Sequence, residues 1–128
     1  MGMKSLLIGT SAIELGAGAA LLFFPMMSVL FLAGAALEGF VALTVTRVAG
    51  SGLFALGIAC WSARNDTQSR TARGLVAAIL FYNGAVVAIL AYAGLVFGMN
   101  GIALWPGVVL HAMMTVWCIK CLRNRPGL

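Results

Sequence analysis

"PMMSVLFLAGAALEGFVAL", residues 25–43, decides how many times this chain crosses a membrane. The stretch is nearly as apolar as a span. It nevertheless opens on Pro25, carries Gly34, Glu38 and Gly39, and leaves only "TVTR", residues 44–47, before the next apolar run. A helix crossing here would have to turn back within those few residues. With Lys4 kept inside, it would also put six basic residues outside, against the inside bias of Lys and Arg in membrane loops. The expected structure is an outer connector that includes an interfacial or partly re-entrant helix, because irregular backbone exposed to lipid is forbidden in the hydrocarbon region. Glu38 belongs to its wetter part.

Composition sets the frame for that choice. The chain has 128 residues, 62% hydrophobic and 9% charged, with a mean hydropathy of +1.07. Soluble domains carry about 25% charged residues, so this sequence lacks the polar side chains to cover a water-facing surface. A span takes about 20 apolar residues. The remaining apolar runs give spans at about 5–24, 44–63, 74–97 and 105–122, one integral membrane domain that is all-α, a four-helix transmembrane bundle. The net charge of +5 does not point to nucleic acid, since the basic residues sit at the ends of apolar runs. With the N-terminus cytoplasmic, Lys4, Arg64, Arg70, Arg73, Lys120, Arg123 and Arg125 fall inside and Arg47 lies near the outer side. That arrangement predicts a multi-pass membrane protein with both termini cytoplasmic.

Targeting patterns add little. Glu14 interrupts the apolar run after Lys4, so a cleaved signal peptide is not expected. Leu6 stands where the myristoylation pattern after Met1-Gly2 wants Ser or Thr.

The first span poses the chemical question, because "SLLIGTSAIELGAGAALLFFP", residues 5–25, contains one charge, Glu14. Ionisable groups at that depth are costly and are functional candidates by default. The sharp expectation is a Glu14–Arg47 pair, direct or through water, with Asn83 and His111 supplying polar groups from the third and fourth spans to one polar cluster. The plain alternative is a protonated or paired Glu14 of structural use, with Asn83 and His111 as interhelical polar contacts. Tyr82, Tyr92, Trp105 and Trp117 read as packing or interface anchors.

The second span carries a packing stripe. Arg47, Gly50, Phe54, Gly57, Trp61 and Arg64 recur at spacings of three and four, and small residues on such a stripe let another helix come close. Ser51, Ala55 and Ala59 form a small-residue row on an adjacent face, open to a second neighbour. Packing inside the bundle is favoured over a homo-oligomer interface.

On the last span, His111, Met114, Cys118 and Cys121 share one helical stripe. These are soft ligands that could hold copper, or a haem through the histidine. One stripe gives a linear, incomplete set, so packing is the expected role and neither a metal nor another cofactor is expected. Cys60, Cys118 and Cys121 at the cytoplasmic ends are expected to be free thiols.

"FFP" closing the first span, followed by "TRVAGSGLFALGIACWSAR", residues 46–64, resembles the DoxX-like group of small four-helix bacterial membrane proteins. The likeness covers about the first half of the chain. It implies a four-helix bundle in a bacterial inner membrane; one branch of that group is associated with quinone-linked sulfur oxidation, and no catalytic residue carries over. Two function classes follow. In one, the bundle is a binding or accessory module for an apolar ligand, a lipid or quinone, or for a larger membrane complex. In the other it is a proton-coupled transporter or small membrane enzyme using Glu14, as in the small multidrug transporters.

Overall fold

A computed structural model describes residues 2–124. The expected position of Arg125 lies outside the described residues, as does the rest of the tail.

Five helices follow one another: α1 Met3–Phe23, α2 Pro25–Ala33, α3 Phe40–Ala63, α4 Arg70–Val96 and α5 Leu104–Arg123. Four of them, α1, α3, α4 and α5, are long and apolar enough to cross a membrane. The chain is thus a helical, multi-pass membrane protein in which residues 25–39 form the connector between the first and second spans.

Local chemistry sets these boundaries. Pro25 has no N–H to continue the ladder of α1, and the residue before a proline avoids helical torsions. Phe24 accordingly breaks the helix at φ −129° and ψ 50°, and Pro25 begins α2. The second helix has 9 residues, only about 13 Å at 1.5 Å per residue, too short to cross. Gly34 ends it in the left-handed region at φ 74°, a conformation only glycine adopts cheaply. Two boundaries differ from the sequence reading. The second span begins at Phe40 and not 44, because Gly39 at φ 82° lets the helix start there and its apolar residues 40–43 continue it. The third begins at Arg70 and not 74, because Ser69 caps it, its hydroxyl accepting from the Ala72 N–H at 3.0 Å, as N-cap serines do.

The spans associate in two close pairs, α1 with α3 and α4 with α5. The glycines on α3 make the first pair possible. A Cβ on Gly50 would sit 2.9 Å from the Gly18 carbonyl oxygen and from the Leu22 nitrogen, and one on Gly57 would sit 2.9 Å from the Leu15 nitrogen. The centre of the stripe, Gly50, Phe54 and Gly57, therefore serves packing within the chain, whereas Arg47 and Trp61 are exposed. Ser51, Ala55 and Ala59 are exposed; no described helix covers that row.

Side chains join the two pairs through a core of Leu6, Leu7, Cys60, Val76, Ile79, Met114 and Cys118. At the other end of the bundle α2 and the α4–α5 loop clasp each other. The Ala103 N–H donates to the Phe31 carbonyl at 2.9 Å, and Gly101 lies so close to the Phe31 and Leu32 backbone that a Cβ would collide with it.

Candidate functional site

Helix register brings a set of polar groups to the middle of the bundle. Glu14, Asn83 and His111 each fall near the centre of their helices, α1, α4 and α5. Glu14 is 2% exposed and Asn83 1%, so both are removed from lipid as well as water. The three sit at one height because α1 and α4 run in the same direction while α5 returns between their ends.

Asn83 and His111 are joined directly. Asn83 Nδ2 donates to the Ile79 carbonyl at 2.8 Å, which leaves Oδ1 as the acceptor for His111 Nδ1 at 2.7 Å. The proton of the neutral imidazole is then on Nδ1, and Nε2 keeps its lone pair. This assignment follows from the bonding pattern, as amide and imidazole orientations must. The Tyr82 ring meets the His111 ring edge-on, with centroids 5.8 Å apart.

Glu14 lies beside Tyr82 of α4. It does not face Arg47. The α1–α3 contacts set the register: Gly18 lies against Gly50 and Phe54, and Gly57 against Leu15. Residue 47 is therefore level with about residue 24, roughly 15 Å along the axis from Glu14. Arg47 is exposed. The expected Glu14–Arg47 pair is not formed, because an antiparallel neighbour whose arginine lies near its outer end cannot bring that group down to mid-height. Arg47→Ala should shift stability in detergent by no more than about 0.5 kcal/mol, the usual range for a surface site away from special contacts. Chemical or thermal unfolding of the two proteins side by side checks this.

Of the four residues expected to converge, Asn83 and His111 bond each other, Glu14 neighbours Tyr82, and Arg47 lies apart. Tyr82, read as an anchor, packs its ring on His111 and so borders the polar centre. Two further members escaped the sequence reading. Thr10 is 0% exposed and Ser11 1% exposed, one turn before Glu14 on the same face of α1. Their spacing to Glu14, four and three residues, was the available signal.

The last-span stripe resolves into packing. Met114, Cys118 and Cys121 belong to the core, and His111 bonds Asn83. All three cysteines are free thiols. Among the described residues no three His, Cys, Asp or Glu side chains gather closely enough to hold a metal ion.

A second feature lies on the flank of the bundle. A groove of about 930 Å³ runs between α1 and α5, near the upper end of the roughly 300–1,000 Å³ typical of ligand sites. Gly9 and Ile13 form one wall; Leu110, Met113 and Trp117 form the other. Gly9 matters because the Trp117 ring passes over it, 3.9 Å from where a Cβ would be. Lys120 and Asn124 close the end at which α1 begins and α5 ends. The Trp117 indole nitrogen is buried with no hydrogen-bond partner. From residue 109 to residue 124 the groove covers about 20 Å of axis, about one leaflet and its interface. No family model, curated protein or solved structure matches the chain.

Proposed function

We propose that this protein is a binding module of a bacterial inner membrane, that its ligand is an amphiphile taken up sideways into the α1–α5 groove, and that the ligand is a lipid with an anionic head group. The observation that carries the reading is the groove itself, apolar along its length and ending on Lys120 and Asn124. An acyl chain matches the apolar walls; the ammonium and amide at the mouth match an acidic head, and none of the lining residues is acidic. Basic pockets between helices at the cytoplasmic face suit such lipids.

Orientation supports the same reading. Lys4, Arg64, Arg70, Arg73, Lys120 and Arg123 all sit at one end of the bundle, and the positive-inside rule makes that end cytoplasmic. The four-span architecture is the one implied by the likeness to the DoxX-like group, and membership of that group is part of this proposal. An isoprenoid quinone is the competing ligand, since its tail would suit the same walls. Docking to a larger membrane complex or to a second copy would use the uncovered α3 face.

Native mass spectrometry after gentle extraction tests the proposal. An anionic phospholipid should stay bound to the native protein. Lys120→Glu should lower its retention at least about fivefold, given about 1 kcal/mol per basic group near the lipid head. Retention of a quinone or of zwitterionic lipid, unaffected by Lys120→Glu, would replace the reading.

A further inference from the structure

The hydroxyls of Thr10 and Ser11, buried in the middle of the bundle, differ from most hydroxyls in the spans. Thr44, Thr46, Ser51, Ser62 and Thr115 each donate to the carbonyl four residues back in their own helix, at 2.8 to 3.0 Å. That local bond is the ordinary way a hydroxyl is satisfied inside a helix. Thr10 Oγ1 and Ser11 Oγ are fully buried and make no hydrogen bond at all. A buried hydroxyl without a partner loses about 1–3 kcal/mol of hydrogen bonding, and here two adjacent ones do so beside a buried carboxylate.

We propose that Thr10, Ser11, Glu14 and Tyr82 form a mid-membrane site for a small monovalent cation of the size of Na⁺. All four side chains offer oxygen, the donor that hard cations take. Thr10, Ser11 and Glu14 lie within little more than one turn of α1, and Tyr82 of α4 lies beside Glu14, its ring packed on His111. The other titratable groups near this centre are Cys60 from α3 and His111 from α5. Neither is a fixed cation, and Arg47 lies too far along the axis to act as one.

Charge selects the ligand. One carboxylate and one monovalent ion leave the centre neutral, whereas a divalent ion would leave a net positive charge in hydrocarbon, which is costly. A proton alone would neutralise Glu14 but would leave Thr10 and Ser11 without partners. A cation takes the lone pairs of both hydroxyls and of the carboxylate together. Serine and threonine are short, so the oxygens can close only around a small ion.

The test is the thermal midpoint of the purified full chain at alkaline pH, in NaCl, KCl or N-methylglucamine chloride at equal ionic strength. Binding to the folded form raises stability by mass action. Na⁺ should give a saturable rise of about 5 °C over the organic cation, and K⁺ a smaller one. Ser11→Ala and Thr10→Val, both of which keep an apolar core residue, should each shift the half-saturating Na⁺ concentration upward about tenfold. Glu14→Gln should abolish the response. Should Glu14→Gln fail to fold, equilibrium dialysis of ²²Na⁺ against the native protein and Ser11→Ala gives the same answer. Equal midpoints in all three salts, or a Na⁺ response unchanged in Ser11→Ala and Thr10→Val, would overturn the proposal and leave a proton as the neutralising partner of Glu14.

Discussion

Gly18→Val should destabilise the detergent-solubilised protein by at least about 3 kcal/mol, at or beyond the upper end of ordinary overpacking. A Cβ at Gly18 would lie 2.8 Å from the Gly50 carbonyl oxygen and 2.9 Å from the Phe54 Cα. These are backbone atoms, so no rotamer change relieves the clash. The α1 and α3 axes would have to separate, and in lipid their association has no hydrophobic drive to restore it, only packing and polar contacts. Gly16 is the internal control. It lies on the same helix, exposed, with nothing within 4 Å of its would-be Cβ. Gly16→Ala should therefore be neutral or stabilise by up to about 1 kcal/mol through helix propensity. Thermal midpoints of both variants distinguish a collision at one face from a general intolerance of side chains on α1. A Gly18→Val protein as stable as the native one would mean that α1 and α3 do not approach in the register described.

That contact also shows what could be read from the amino acids. Gly50 and Gly57 announced a close approach because glycine at helical spacing has a direct steric meaning, whatever the partner. Their partner on α1 was not legible, since the "GAGAA" run around Gly18 offers small residues on every face. The same limit explains the error at Arg47. Periodicity places a residue on a face of its own helix, whereas the height of one helix against another depends on where the connector ends. Here α3 begins at Phe40, and that start sets Arg47 about ten residues along from Glu14's level. The four spans and the short connector helix were legible because apolar length, Pro25 and the basic loop ends act locally. Thr10, Ser11 and the groove were not. Hydroxyls in membrane helices usually bond their own backbone, and a groove exists only once α1 and α5 are side by side.

Asn83→Leu should cost about 1–3 kcal/mol, the range for stranding a buried hydrogen-bonding group. The substitution removes the acceptor at 2.7 Å from His111 Nδ1 and leaves that N–H facing an apolar core. It also removes the bond to the Ile79 carbonyl, but that carbonyl keeps its helical partner, so the histidine bears most of the loss. His111→Leu alone should cost less, because Asn83 retains its own-helix bond and strands only an oxygen. Replacing both should cost less than the sum of the two, as matched apolar pairs replace hydrogen-bonded pairs with little net penalty. The coupling is expected at about 0.6–1.7 kcal/mol, the span measured for interhelical hydrogen bonds in a membrane. A spectroscopic readout separates this bond from plain packing. In the native protein the ¹⁵N spectrum of His111 should show the proton on Nδ1, and in Asn83→Leu that preference should be lost. Additive energies in the double-mutant cycle, or a native His111 protonated on Nε2, would show that Asn83 and His111 do not hold α4 and α5 together at the centre of the bundle.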